Sequence, residues 1–452
     1  MRKKLPLLLA SSALLFASCH AINNPSDIQE KEDDIPEEEE EEEEKEFNEF
    51  DFFASSSSAS YGRKMLGCGL YTSIKSFIES SAFNIEGKLS DGKLNISTIE
   101  DAESPRYNVS ENIKDISGSF SSGLSDYSFE KNHVTKASDL IGFLNFDKLN
   151  ADSTFSYQLS SGLKGKTTVT NESKIESGKL DFYLKDRNVY GDFSNQIFEP
   201  LLEDLAKLED NGILGFTTLE QIALYSKVNA VDFLEDDEVV LRDKLGPISY
   251  LLFLPNGDSI GETMYNAVKD DAELKEELQS IFNTANLKMY SAIQKSDYYC
   301  KIDFDIDNKD DFITIIDYIN DKTNEEEEFV PSDFAKELEE NNITLSKIKL
   351  AGEIRLAKTG NIEIDFENDI KVQFKGEIDL SEVKDYSLGK VDVDASLECS
   401  ANMNVNINFE KNKSYLDKLP NEEELATYHE INGELIREKI KELFSKVDEL
   451  ER

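Results

Sequence analysis

The sequence predicts an α+β fold: long, curved antiparallel strands packed against helices, arranged as two related halves. Three observations lead there. From Val391 to Phe409 the odd positions are apolar or small (Val391, Val393, Ala395, Leu397, Cys399, Ala401, Met403, Val405, Ile407, Phe409), and every even position is polar. A period of two puts one set on a buried face and the other in water. Shorter alternating runs recur along the chain, and apolar stripes at helical spacing interrupt them. Runs of strands followed by runs of helices are the pattern of α+β folds with antiparallel sheets.

The amino terminus stands apart from that body. Arg2, Lys3 and Lys4 form a basic head, Leu5 through Phe16 an apolar run, and Ala17-Ser18 bring two small residues up to Cys19. The run falls short of the ~20 apolar residues of a membrane-spanning helix, so residues 1–18 read as a cleaved secretory signal. With its Phe16-Ala17-Ser18-Cys19 motif the segment resembles the bacterial lipoprotein precursors. Phe16 replaces the usual branched aliphatic residue, as in the looser motifs of spirochaetes. The resemblance covers only the first twenty or so residues. It implies cleavage before Cys19, acylation of the Cys19 thiol and attachment to a membrane through the acyl chains. Each buried methylene adds ~0.8 kcal/mol, and stable anchoring takes more than one chain. An ordinary signal cut after Ala21 is the competing reading. His20 and Ala21 follow the cysteine rather than Asp, so the sequence gives no obvious argument for retention in an inner membrane. A cell-envelope location at the outer membrane is expected, on the periplasmic face or the cell surface.

Residues 19–60 read as a disordered tether. Asp27 to Asp51 carries sixteen carboxylates, eight of them in Glu37 to Glu44, against Lys31 and Lys45. Like charge with few apolar residues repels itself and buries nothing. Ser55 to Ser60 adds a small-residue linker. As a flexible coil this stretch would span roughly 35 Å, and on the order of 140 Å fully extended.

The body divides into residues 61–285 and 286–452. Phe83, Ile85 and Leu89 lead into Asp91-Gly92 and then Leu94 and Ile96, which reads as a hairpin with a type I′ turn. Thr154 to Leu159, Leu163 to Ile175, Leu180 to Leu184 and Val189 to Phe193 read as strands, as do the alternating runs at Tyr298 to Ile306, Ile362 to Phe366 and Ile370 to Phe374. Ile343 and Leu345 change phase to Ile348 and Leu350, the sign of a bulge. For Val391 to Phe409 the unbroken phase excludes a two-residue turn. Either one long strand or two joined by an odd-length loop near Ser400 fits, and the long strand is expected. Helices are expected at Asn195–Leu208, Thr217–Tyr225, Ser259–Ala285 with a break near Asp270-Asp271, Asp310–Ile319, Pro331–Glu340 and Asn432–Leu450. A weak echo between Ile85–Ser97 and Ala351–Asp365 is the ground for two related halves, although period two alone constrains half the letters.

Charge and motifs narrow the function. The chain carries 93 acidic against 49 basic residues, for a net charge of −44. Affinity for phosphates comes from Lys and Arg, so nucleic acid is not an expected partner. An acidic, highly soluble surface is the simpler reading, with basic partners or divalent cations also compatible. The chain contains no H-E-x-x-H helix, no G-x-S-x-G elbow and no glycine-rich phosphate loop. The histidines, His20, His133 and His429, are far apart. Asp303, Asp305, Asp307, Asp310 and Asp311 resemble a calcium loop in composition, but Asn308 and Thr314 stand where an EF-hand requires Gly and Glu. They read as the wet face of a strand. Cys300 and Cys399 share the inward parity of their strands, so they are either a disulfide in an oxidising envelope or two small buried hydrophobes. Cys68 has no catalytic partner nearby. Neither an enzyme, a metal nor a cofactor is expected. The expectation is a lipid-anchored body that binds a protein partner or host surface through non-enzymatic contacts. The alternative is a carrier with an apolar cavity between sheet and helices.

Overall fold

The computed structural model of the chain describes residues 46–100, 107–129, 133–161, 165–192, 225–229, 238–239, 260–323, 334–379 and 390–430. In chain order its elements are β1 (Phe47–Phe50), α1 (Ser57–Glu79), β2 (Ala82–Glu100), β3 (Tyr107–Ser125), β4 (Thr135–Lys136), β5 (Ile141–Ser161), β6 (Gly165–Lys185), β7 (Asn188–Asp192), β8 (Tyr225–Asn229), β9 (Glu238–Val239) and α2 (Ile260–Lys269). There follow α3 (Ala272–Thr284), β10 (Lys288–Ala292), β11 (Tyr298–Ile306), α4 (Lys309–Thr323), α5 (Phe334–Glu340), β12 (Ile343–Ala357), β13 (Ile362–Asp379), β14 (Lys390–Glu410), α6 (Glu422–Leu425) and β15 (His429–Glu430).

Thirteen strands join one sheet in the order β1-β10-β11-β12-β13-β14-β2-β3-β5-β6-β7-β8-β15. Every pairing in it is antiparallel except β15 against β8. The expected α+β balance is therefore corrected to a mostly β architecture with few helices. The physical reason lies in strand length. β5, β6 and β14 each run 21 residues, against the ~5–6 typical of globular proteins, so strands absorb segments that the sequence pattern breaks into shorter pieces.

Bulges make that length compatible with one apolar face. In β2 the inward set is Leu89 before the irregularity at Asp91-Gly92 and Leu94 after it, and the ladder to β14 slips between Ser400 and Asn402. Asp91 takes a left-handed φ of 54°. The hairpin expected at Asp91-Gly92 does not form: β2 continues through it, and the extra residue flips the parity that a turn would otherwise explain. The same device recurs in β3, where Asp115 has φ 53°, and in β5, where Lys148 has φ 58°. It appears again in β6, where the ladder shifts between Ile175 and Gly178. These bulges line up across neighbouring strands as a transverse crease. Leu89, Leu94, Ile116, Phe146, Leu149, Ala151, Ile175, Leu180, Cys399 and Ala401 bury together along it. The bulge expected near Leu345 is present, between Leu345 and Lys347. So is the long strand: β14 runs unbroken through Ser400. The type I′ turn sits elsewhere, at Asp186-Arg187 between β6 and β7, with φ 49° and 68°.

Helices back one end of the sheet. α1 lies against β10, β11 and β12, and Leu66 buries with Cys300, Leu356, Val268 and three phenylalanines of the amino-terminal segment, Phe50, Phe52 and Phe53. The break at Asp270-Asp271 is as expected, with Asp271 capping α3 through a 3.0 Å bond from Leu274 N. Lys309–Thr323 and Phe334–Glu340 match two further expected helices. Those expected at Asn195–Leu208, Thr217–Tyr225 and Asn432–Leu450 fall on residues outside the described ones, apart from Tyr225, which begins β8.

Two boundaries move. Residues 46–60 belong to the folded body rather than to a tether. β1 pairs with β10, and Ser56 caps the 23-residue α1 by accepting from Ala59 N. The serines that read as a linker are a helix start, because a serine oxygen satisfies one of the first-turn amides. Glu37 to Glu44 lie outside the described residues. The division at 285/286 does not separate two halves either, because β14 pairs with β2 along most of its length and makes one continuous sheet. Ile85–Ser97 sits within a single strand, whereas Ala351–Asp365 is a hairpin, so the echo has no structural counterpart.

Candidate functional site

The polar face of β14, β2, β3, β5 and β6 carries a trough of about 490 Å³. Its floor follows from register. Asn406, Glu86, Ser121, Asn145 and Asp181 stand opposite one another on successive strands and form one transverse row. Asn404, Lys88, Ser119 and Asp147 form the next. The two short serines lie on the middle strand, between longer side chains on both sides, and that difference in reach hollows the surface.

Beside the trough, the chain that leaves β14 crosses the strand ends. Lys413 N donates to Ser81 Oγ (3.3 Å) and Tyr415 N to Ser125 Oγ (3.0 Å), while Ser414 Oγ donates to Asp126 Oδ2 (2.8 Å). The Tyr415 ring stands edge-on to Phe143, with centroids 5.1 Å apart. Further on, Leu425 and Tyr428 pack on Tyr190 of β7, so residues 411–428 form a strap across the sheet end. Tyr183 belongs to both features: it lines the trough and packs against Ala82, Phe143 and Tyr415. Burial, with Glu410 beside the hydroxyl, pushes the Tyr415 phenol well above its ordinary range.

The polar groups of the trough are held from within the protein. Asn404 Nδ2 donates to Asp365 Oδ1 (2.6 Å), and Asn406 Nδ2 donates to Asn404 Oδ1 (3.4 Å). Asn84, one step along β2, donates from Nδ2 to Glu86 Oε1 (3.1 Å). Lys179 pairs with Asp147 at 3.4 Å. Asn145 Oδ1 and Asn84 Oδ1 are buried and have no hydrogen-bond partner. Such a face can hold a polar ligand by hydrogen bonds and charge. The trough escaped the sequence reading because its residues come from five strands and are linked only by register.

The sequence-predicted residues are placed as follows. Cys19 lies outside the described residues. Cys300 is a free thiol, 1% exposed, beneath α1. The Cys300–Cys399 bridge that parity allowed is not formed: β11 and β14 are three strand spacings apart, ~14 Å at ~4.8 Å each, whereas a disulfide requires Cα atoms within ~7 Å. Burial pushes the Cys300 thiol up to about 12, with Cys68 nearby adding to the shift. Cys399 is buried in the crease cluster. Asp303 pairs with Lys301 at 3.1 Å and stands opposite Glu353, half-buried on the polar face of the sheet. Asp310 and Asp311 occupy the first turn of α4. Among the described residues no three His, Cys, Asp or Glu side chains are grouped to hold a metal ion. No described helix is long and apolar enough to cross a membrane.

No protein-family model matches the chain, and no curated protein matches it. Solved structures give weak likenesses. The outer membrane protease OmpT from Escherichia coli aligns over 72% of this chain and 97% of its own, at 7% identity and a TM-score of 0.13. A Pseudomonas aeruginosa FadL homologue aligns over 74% and 91%, at 6% identity and a TM-score of 0.12. Likeness at this level establishes no shared fold.

Proposed function

We propose that this chain is a non-enzymatic envelope lipoprotein, anchored by acyl chains on Cys19 at the outer membrane, that presents its sheet as a binding surface. The observation that carries the binding part is the trough: a recessed, hydrogen-bonding face on a wide sheet. Its volume lies in the ~300–1,000 Å³ range of ligand pockets, and its lining is mostly polar. The carrier alternative calls for an apolar cavity between sheet and helices. Where α1, α2 and α3 meet the sheet, Phe52, Phe53, Tyr265 and Phe282 meet edge-on or tilted at 5.2–6.4 Å between ring centres, and this aromatic packing supports the binding body.

Two measurements test the proposal. Cys19→Ser is expected to move the protein from the membrane fraction to the soluble one and to abolish fatty-acid labelling, and unchanged sedimentation would overturn the anchor. Native mass spectrometry of the purified body is expected to find no co-purifying lipid. A stoichiometric lipid adduct would replace the binding body with the carrier.

A further inference from the structure

Two thiols lie close together at the helix-covered end of the sheet. Cys300 on β11 is buried under α1 with Leu66 and Leu356. Cys68, on α1 itself, carries a thiol that is half-buried. Glycine brings the two elements together. A Cβ on Gly69, the residue after Cys68, would lie 3.4 Å from Cys300 Sγ and 3.0 Å from Leu356 Cβ, and Leu356 stands opposite Cys300 in the ladder. With no side chain at that position, the α1 backbone settles onto the Cys300–Leu356 pair. Consecutive Cα atoms are ~3.8 Å apart, so Cys300 Sγ lies within about 9 Å of the Cys68 Cα. That bound is reached only if the intervening atoms are collinear, and a helix turns between them. Cys68 is also near enough for its thiolate charge to raise the Cys300 thiol. Cys399, in contrast, is three strand spacings from Cys300.

We propose that Cys68 and Cys300 are a disulfide pair, which closes in an oxidising compartment and staples α1 to β11. A low-molecular-weight disulfide is the oxidant. The Cys68 thiolate attacks it, forming a mixed disulfide and releasing one small thiol. Cys300 then loses its proton to solvent, and its thiolate attacks the Cys68 sulfur, releasing the second small thiol. Two protein thiols and one small disulfide thus become one protein disulfide and two small thiols. Burial pushes the Cys300 thiol up to about 12, so the second step is the slow one. Between the two cysteines in sequence lie β2, β3, β5 and β6, four of the five trough strands, and a cross-link between residues so far apart constrains the unfolded chain strongly. The oxidising compartment rests on the proposed envelope location, whereas the bridge itself is tested apart from it.

The full chain carrying Cys19→Ser would be equilibrated with reduced and oxidised glutathione, quenched by alkylation and mapped by mass spectrometry. A linked Cys68–Cys300 peptide is expected, with the intact mass lowered by two hydrogens. Closure from the mixed disulfide is expected to quicken about tenfold per pH unit across roughly pH 7–9, as the Cys300 thiolate fraction grows. The bridge is expected to raise the melting temperature by roughly 5 °C or more, and reduction to return it to that of Cys68→Ser. Persistent alkylation of both cysteines in the folded protein would overturn the proposal. So would a stable glutathione adduct on Cys68, or a link from either residue to Cys399. A bridge that forms without raising the melting temperature would reject the staple. Loss of the bridge would leave the Cys19 anchor standing, and loss of the anchor would leave the bridge.

Discussion

The two ends of the sheet are held together by different means. At the β1–β10–β11–β12 end a second layer covers the sheet. α1 and α2 meet closely enough that a Cβ on Gly261 would lie 1.9 Å from the Arg63 carbonyl oxygen. The Arg63 guanidinium, its side chain 3% exposed, bonds to Glu262 (3.1 Å) and to the carbonyls of Phe52 (2.9 Å) and Ala54 (2.7 Å), and it lies 3.8 Å from the Tyr265 ring centre. Across β2, β3, β5 and β6 order comes from the crease instead, and from rings folded over neighbours: Phe120 covers Gly87 opposite it, where a Cβ would lie 2.1 Å from the ring. One end is fixed by a buried charge with several partners, the other by strand geometry. A change at the first end therefore leaves polar groups stranded, whereas a change at the second loosens packing.

Substitutions can break this contrast, in descending order of expected effect. Arg63→Met strands the carbonyls of Phe52 and Ala54, at ~1–3 kcal/mol each, and removes one partner of Glu262, which keeps its bond from Ser60 Oγ, so a loss of about 3–5 kcal/mol is expected. Hydrogen exchange should then quicken first in residues 47–54, and quickening first in β5 and β6 would refute the division. Leu89→Ala, at a position 1% exposed within the crease, is expected to cost about 3 kcal/mol by chemical denaturation. Gly87→Ala must displace only the Phe120 ring, so about 1–3 kcal/mol is expected, with a changed aromatic circular dichroism signal. Breaking the exposed Lys349–Glu367 pair is expected to leave stability unchanged within the error of a denaturation measurement, because solvent screens it.

A pH series sharpens the same comparison. Burial holds the Asp303 carboxyl above its usual range, with Glu353 adding to the rise and Lys301 opposing it. The native state then binds that proton more tightly than the unfolded chain does. The resulting stabilisation is complete below the ordinary aspartate pKa and is lost as pH rises through the raised value. Asp303→Asn is expected to remove this component. Its stability relative to the parent should improve as pH rises across that window, and a parallel offset at every pH in thermal melts would contradict it.

Some of this was legible in the residues and some was not, for identifiable reasons. β14 was readable because ten consecutive odd positions contrast sharply with their polar neighbours. The bulge at Leu345 was readable because both phases around it are strongly apolar. Asp91-Gly92 was misread because a bulge and a type I′ turn ask for the same left-handed residue, and only the pairing of β2 with both β14 and β3 decides between them. α1 was missed because Gly62, Gly67 and Gly69 lower its helix propensity, while tertiary packing of that face supplies the stability. β3 was missed because Ser and Gly dominate both of its faces from Ser117 to Ser125. The trough required the register of five strands, and no local pattern encodes that.

The short strand at the amino-terminal edge has a mechanical consequence. The chain enters the body at β1, on one margin of the sheet, while the trough is centred on β3, seven strand spacings away. At ~4.8 Å per spacing that is ~34 Å. On the proposed anchor at Cys19, the sheet acts as a boom: its own width carries the trough outward from the point of attachment, before any extension of the acidic leader is counted.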